Sequence, residues 1–265
     1  MDNKNIAQSP AIAGNPYVSE LLNLLEANNM PGAKDLLSAI IQVSAMEKQL
    51  GNMAVQLTVL REELAEAQRQ NHPIKNALQK AVITLQDNML GLRERLDALK
   101  QEIIGGCKSA LEAFREKGLS ALRNLADFFK LRPGLEALQK DIDKSIRLDN
   151  KMIAAIETVS AEYHEAGRHI ANMGRAVAGK EAIQEAKPVG KVAKAFAAPI
   201  LADRACLRAM DKCVGKAIGA VGRLEKTEHK PPIRETIEKL NKDIEQAQRD
   251  APARVRVRPV PHAER

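Results

Sequence analysis

Two rows of apolar residues run in heptad spacing through residues 33–70, and no polar residue interrupts either row. The first row is Leu36, Val43, Leu50, Leu57 and Leu64, and the second is Ala39, Met46, Met53, Leu60 and Ala67. Because helical side chains three or four residues apart share a face, this spacing predicts a long helix with one apolar stripe.

The same pattern returns after Asn71-His72-Pro73, where the proline predicts a helix boundary. Its rows are Leu78, Leu85, Leu92 and Leu99, and Val82, Met89, Leu96 and Ile103. Two striped helices joined by a short break predict an antiparallel hairpin. Together with a short helix at about 17–27, this hairpin forms the predicted region 17–104.

A second pair of helices is predicted for residues 105–180. Gly105-Gly106 indicates the turn that opens this region, a helix at about 107–130 follows, and the longest helix runs over about 133–178. At 1.5 Å per residue the longest helix spans roughly 70 Å. Its stripe is Leu135, Leu138, Ile142, Ser145, Asp149, Met152, Ile156, Val159, Tyr163, Ala166, Ile170, Met173 and Val177.

Ser145 and Asp149 are the two polar members of that stripe, and they are neighbours in it. One interpretation is a solvated gap between partner helices. The other is a device that fixes helix register or oligomeric state, a role in which single polar residues of a stripe are known. The sequence leaves both open.

After residue 180 alanine and glycine become frequent, and Pro188 and Pro199 are expected to cut helices short. The regions predicted outside the two helical pairs are a disordered tail at 1–16, a basic Ala/Gly-rich helical region at 181–230, a terminal helix at 231–249 and a disordered Arg/Pro tail at 250–265. The predicted fold class is all-α, with elongated coiled-coil-like hairpins followed by a basic Ala/Gly-rich helical C-terminal third.

The net charge of +7 is concentrated in that last third. Residues 187–223 carry eight basic side chains against Asp203 and Asp211. Clustered positive charge indicates a polyanionic partner, either nucleic acid or an anionic membrane surface, with a merely solvated face as the alternative. The candidate nucleic-acid contacts are Lys187, Lys191, Lys194, Arg204, Arg208, Lys212, Lys216, Arg223, Arg254, Arg256 and Arg258.

Large rings are scarce, with two tyrosines, four phenylalanines and no tryptophan. This composition argues against a compact enzyme core and against a single-strand site built on base stacking. The three cysteines imply no disulfide framework, and no apolar run approaches the roughly 20 residues of a membrane span. We therefore expect a cytoplasmic protein without a membrane span.

Several segments resemble an uncharacterised all-helical family of gut Firmicutes that is associated with integrative conjugative elements. The segments are NPYVSELL at 15–22, MEKQL at 46–50, HPIKNALQKAV at 72–82, GCKSALEAFREKGLSAL at 106–122 and SAEYHEAGRHIANMGRAV at 160–177. The resemblance covers roughly residues 15–180. It implies a mobile-element setting and a helical shape, and it supplies no activity, ligand or catalytic residue.

Residues 174–181 have the spacing of a phosphate-binding P-loop, but Glu181 stands where that motif needs serine or threonine. The long stripe that leads into them favours a helix C-terminus capped by Gly179 instead.

His164 and His169 resemble the histidine pair of a zinc-protease helix but lie five residues apart, which turns them about 140° from each other. Glu165 and His169, four apart, are expected to pair on the helix surface. The candidate partner surface is Tyr163, His164, Glu165, Arg168 and His169.

No cofactor, metal or catalytic site is predicted, so the leading function is that of a non-enzymatic structural or adaptor protein of a mobile genetic element, acting through coiled-coil helix–helix contacts. The expected partner is another protein, and assembly with a second copy is open. The alternative is an accessory factor that binds nucleic-acid phosphates through residues 187–223 and the C-terminal arginines. An unrecognised enzyme comes third.

Overall fold

A computed structural model describes residues 12–30, 32–70, 74–184 and 191–228. Its α-helices are α1 (Pro16–Ala27), α2 (Ala33–Arg69), α3 (Lys75–Lys117), α4 (Leu131–Val177) and α5 (Lys191–Glu228). Short 3-10 stretches lie at Ile12–Gly14, Gly118–Arg123 and Leu125–Phe128, and the described ranges contain no strand. The all-α prediction is confirmed. The predicted terminal helix at 231–249 and the tail at 250–265 lie outside the described residues, as does most of the tail at 1–16.

Local sequence explains where the first helices begin. Asn15 caps α1, because its side-chain oxygen accepts the N–H of Tyr17 at 3.0 Å, and Pro16 occupies the first turn, where a missing N–H does no harm. Gly32 precedes α2 with a φ of +89°, a conformation that side chains other than glycine rarely adopt. The observed α2 and α4 begin and end within two residues of the bounds predicted from their stripes.

Helices α2 to α5 pack as an antiparallel four-helix bundle, in which α3 and α5 each contact both α2 and α4. In each interface, late residues of one helix meet early residues of the next. The contacts are Glu47–Lys100 and Arg61–Gln86 between α2 and α3, Arg95–Asp141 between α3 and α4, Asn150–Arg204 and Arg132–Glu225 between α4 and α5, and Asp35–Arg223 between α2 and α5. The predicted regions 17–104, 105–180 and 181–230 thus contribute helices to one bundle, which lies in one compact unit ending at Thr227.

The bundle interior consists of two apolar clusters. The first includes Leu21 of α1, Leu36 of α2, Leu99 of α3 and Met210 of α5. The second lies toward the α2–α3 connection, and its buried members are Leu57, Leu60, Ala67, Ile74, Leu78, Ala81, Val82, Leu85, Ile153, Ile156, Phe196, Ala197 and Ile200. Polar residues occupy the α4 and α5 positions between the clusters.

Ser145 and Asp149 are among these polar residues, and both are buried. The two positions are therefore closed to bulk solvent, and the choice between the two interpretations stays a prediction. The Ser145 hydroxyl donates to the carbonyl of Asp141 at 3.0 Å, which satisfies it within its own helix.

The expected turn at Gly105-Gly106 is absent, because α3 continues through both glycines to Lys117. It ends there because Gly118 takes a φ of +67°. Residues 118–128 then form two 3-10 stretches instead of the second half of the predicted helix 107–130.

Pro199 does not end a helix either, because it lies inside α5. A proline removes one helical hydrogen bond, but here Phe196, Ala197 and Ile200 are buried in the second cluster and hold the helix on both sides of it. The three cysteines are free thiols. None of the described helices combines the length and the apolar character that crossing a bilayer requires.

Candidate interaction surfaces

The C-terminal part of α4 extends past the buried interior of the bundle. Ser160 is the last buried residue of this helix, and every residue from 161 to 177 is exposed or half-buried. We call residues 161–177 the α4 arm. At 1.5 Å per residue the arm is about 25 Å long.

The apolar stripe of α4 continues along the whole arm. Upstream this stripe is buried, with Ile156 1% exposed, whereas on the arm Tyr163 is 54%, Ile170 71%, Met173 70% and Val177 92% exposed. These four residues and the exposed Ala166 form the arm stripe. Within the described parts of the chain, no element covers it as α3 and α5 cover the upstream stripe.

The opposite side of the arm is occupied by the chain itself. After α4 ends, Gly179 takes a φ of +66° and the chain turns back. Asn172 exchanges two hydrogen bonds with the backbone of Ile183, at 2.7 and 3.0 Å, and Arg175 donates to the carbonyl of Glu181 at 2.6 Å. At about 100° per residue, these anchoring side chains point away from the arm stripe.

The predicted partner surface divides between these two sides. Tyr163 belongs to the arm stripe, and the ring of His164 packs edge-on against its ring at 6.2 Å. Glu165 pairs with Arg168 and accepts from His169 Nε2 at 3.1 Å, as expected for residues three and four apart. Hydrogen bonding to Arg168 is the main cause that lowers the pKa of Glu165.

Arg168 also donates to the carbonyls of Ile183 and Gln184, each at 3.2 Å. It therefore anchors the returning chain instead of facing outward. The predicted partner surface leaves out Ile170, Met173 and Val177, although all three belong to the predicted α4 stripe, which is longer than the stripes of α2 and α3.

The residues with P-loop spacing form the predicted helix end. Gly174 to Val177 are helical, and the N–H of Lys180 donates back to the carbonyl of Arg175 at 2.8 Å. Backbone donors held in this way form a helix C-terminus with Gly179 as its left-handed residue.

A basic surface covers the outer face of α5. Lys194, Arg208, Lys212, Lys216 and Arg223 lie within roughly 80° of one another at about 100° per residue, and all five are exposed. Arg204 lies at the edge of this face and donates to Asn150 Oδ1 at 2.6 Å. Lys187, Arg254, Arg256 and Arg258, as well as the side chain of Lys191, lie outside the described part of the structure.

A shallow groove between α2 and α5 opens onto this face. Its volume is about 510 Å³, and it is lined by Ser38, Gln42, Lys212, Gly215, Lys216, Gly219 and Arg223. Arg223 donates to Asp35 at 2.8 Å, so part of its charge is neutralised. We call this feature the basic groove. Its chemistry suits phosphate oxygens, which ammonium and hydroxyl groups bind.

Comparison with known protein families matches residues 14–258 to a family of unknown function (DUF6674). This match includes the last third, where the resemblance of individual segments faded. No curated protein and no solved structure matches the chain.

Proposed function

The chain belongs to DUF6674, and because no activity comes with that family, we propose from the chain's own surfaces that it is a non-enzymatic structural or adaptor protein. It acts through helix–helix contacts, and the α4 arm is the surface that makes them. The observation that carries this proposal is the exposure of the arm stripe.

Leaving this apolar stripe in water costs free energy that a partner helix would recover. Burying one large apolar side chain stabilises by about 1.5–3 kcal/mol. Contiguous exposed apolar residues therefore mark interaction surfaces more often than singly scattered ones do. Ile170 and Met173 are adjacent members of one stripe, and its upstream part already packs against helices of the bundle. The spacing of apolar residues on the arm stripe therefore suits a helix supplied by a partner in the same way.

The expected occupant is an amphipathic helix of another protein chain. Gly167 and Gly174 lie seven residues apart beside the stripe, and apart from the backbone of α4 itself no atom lies within 4 Å of the position that a Cβ would take on either. A glycine inside an exposed helix costs about 1 kcal/mol relative to alanine. Two of them beside the stripe allow the backbone of a partner helix to approach closely. An arm of about 25 Å offers such a helix four to five turns of contact.

The setting that we propose is an integrative conjugative element, on the strength of the segments at 15–22, 72–82 and 160–177. The genes that flank other DUF6674 members test this point. Recurrent mobilisation genes beside them support the setting, and neighbours without any mobile-element gene contradict it.

Affinity capture from cells that naturally express the protein tests the adaptor function. We expect a defined protein to be captured by the wild type and lost with the double variant Ile170→Asp/Met173→Asp. The matched control is Ile83→Asp, since Ile83 is an exposed isoleucine on the bundle itself. Capture that survives the arm variant, or that fails equally with the control, overturns the proposal.

A second candidate function is binding of nucleic acid through the basic groove and the outer face of α5. The observation that favours it is the placement of Lys212 and Lys216 side by side at the groove, together with Ser38 and Gln42 of α2. Contacts of this kind reach phosphates and not base edges, so they carry little sequence preference.

A further inference from the structure

Two aspartates meet in the interior of the bundle, and the proposed function uses neither. Asp149 of α4 is 0% exposed and Asp203 of α5 is 2% exposed. The two residues lie next to each other across the contact of α4 with α5, beside the hydrogen bond of Arg204 to Asn150 at 2.6 Å, and we call them the acid pair. Across the described residues, no N–H or O–H group donates to either oxygen of Asp149 or to Oδ2 of Asp203.

The acid pair lies between the two apolar clusters. On α4 it is bounded by Ile142 of the first cluster and Ile153 of the second. On α5 it is bounded by Ile200 and Leu207 in the same way. An ionised carboxylate in such surroundings is strongly disfavoured unless it is paired or hydrogen-bonded.

Charges near the acid pair do not neutralise two carboxylates. Arg204 is the cation that acts on Asp149, and its guanidinium is hydrogen-bonded to Asn150 Oδ1. On α2 and α3, the charged residues at the same height along the bundle as the acid pair are Arg61 and Asp87, and both are exposed. The side-chain nitrogen of Asn88 in α3 is also buried and has no hydrogen-bond partner among the described residues.

We infer that Asp149 and Asp203 hold one proton between them at neutral pH, and that loss of this proton loosens the N-terminal part of α5 from α4. In the protonated state, the O–H of one carboxyl donates to an oxygen of the other carboxylate. When the pH rises, a solvent base removes that proton and leaves two anions in contact. Their repulsion is strong because the surrounding residues are apolar.

The direction of the pH dependence follows from the pKa values. Burial is the main cause that raises the pKa of Asp149 to about 8 and that of Asp203 to about 7. Between the ordinary range near 4 and about 8, the folded chain binds more protons than the unfolded chain. The stability that the pair contributes is therefore complete below about pH 4, falls as the pH rises from there, and is fully lost once the pH has passed through about 7–8.

Loosening would begin beside the arm. Phe196, Ala197 and Ile200 of α5 share the second cluster with Ile153 and Ile156 of α4. If this part of α5 separates, both isoleucines become exposed, and Ile156 extends the arm stripe toward the bundle. The proton would then control the length of apolar stripe that a partner helix meets. Only this last consequence rests on the proposed function.

The test compares the wild type with Asp149→Asn/Asp203→Asn at pH 6 and pH 9, with Asp143→Asn, an exposed residue of α4, as the control. We expect the thermal midpoint of the wild type to fall by roughly 5 °C more than that of the double variant over this range. At pH 9, amide hydrogen exchange in residues 194–205 should be at least tenfold faster in the wild type than in the double variant, and this difference should be smaller at pH 6. Equal pH responses in the two proteins overturn the inference.

Two further measurements keep the inference testable if the double variant does not fold. The infrared C=O band of a protonated carboxyl should be present in the wild type at pH 7 and should disappear by pH 9, while Asp203→Asn alone changes that titration. Addition of magnesium or calcium at pH 7 should not raise the midpoint, because a rise means that a cation and not a proton neutralises the pair. If the pH response is found but partner capture does not change with pH, the acid pair stands and its link to the arm fails.

Discussion

Gly106 of α3 lies directly beneath the ring of Phe129. A Cβ on Gly106 would stand 2.5 Å from Cδ1 of that ring and 2.6 Å from the carbonyl oxygen of Phe128. The glycine is therefore a packing requirement of a continuous helix, where the segment between α3 and α4 crosses over it. Gly105, its neighbour, has open space at the same position.

Alanine at these two positions should have opposite effects on stability. Gly106→Ala forces the Phe129 ring and its backbone outward, and overpacking of this kind destabilises by about 1–3 kcal/mol. Gly105→Ala lowers the conformational entropy that the chain loses when this exposed helical position folds, and it should stabilise by about 0.5–1 kcal/mol. Urea unfolding of both variants measures the difference. Shifts of the same sign would show that the close contact does not exist in solution.

A buried ion pair between α2 and α3 gives a second prediction. Lys100 is buried and forms an ion pair with Glu47, while Asp97 lies 3.8 Å from its Nζ. Glu47→Ala leaves the buried ammonium group of Lys100 with only the more distant Asp97 as a partner, and it should destabilise by about 3 kcal/mol. Replacing both residues by apolar ones, as in Glu47→Leu/Lys100→Met, should restore most of that loss.

The control for that pair is an exposed ion pair on α2. Arg69 and Glu66 lie 2.6 Å apart at the surface, and Glu66→Ala should change stability by less than about 1 kcal/mol. Equal effects of Glu47→Ala and Glu66→Ala in chemical denaturation would contradict the burial of Lys100.

The arm stripe should contribute nothing to the stability of the bundle. Ile170→Asp/Met173→Asp changes exposed residues only, so its free energy of unfolding should stay within about 0.5 kcal/mol of the wild type. Ile156→Asp places a charge in the second cluster and should destabilise by several kcal/mol or prevent folding. Circular dichroism on heating distinguishes the two. A large loss in the arm variant would mean that the chain itself covers the stripe.

Binding of duplex DNA tests the second candidate function. If four or five phosphates are contacted, the logarithm of the affinity should fall with the logarithm of salt concentration at a slope of about −4. Lys212→Gln/Lys216→Gln should reduce that slope by about 2 and weaken binding to all sequences alike. Arg115→Gln is the matched control, because Arg115 pairs with Glu20 away from the basic groove. A salt-independent affinity, or one unchanged by the lysine variant, eliminates this function.

Sequence periodicity predicted the helices whose stripes are continuous. The bounds of α2 and α4 follow from heptad spacing, because a stripe must face a partner along its whole length. The polar interruption at Asp149 was visible too. The position of its partner Asp203 is readable as well, because Phe196, Ile200, Asp203 and Leu207 follow one another at helical spacing on one face of α5.

The errors came from residues whose conformation is decided by distant contacts. Gly105-Gly106 has the local character of a turn, but α3 continues through it, and the glycine at 106 makes room for the distant Phe129 ring. Pro199 has the local character of a helix end, but the second cluster holds α5 together across it. The bundle covers the stripes of α2 and α3, whereas the stripe of α4 extends beyond it on the arm. This difference depends on how the helices are aligned along the bundle, and the sequence of one stripe does not encode the alignment.

Site-specific photo-cross-linking tests the central claim most directly. A photoreactive residue placed at Ile170 or at Met173 is compared, in cells that naturally express the protein, with one placed at the exposed Ala161 on the opposite side of the arm. The account predicts one adduct of discrete mass from both stripe positions and none from Ala161, and a doubled mass would identify the partner as a second copy. No adduct from the stripe, or the same adducts from both sides of the arm, would contradict it.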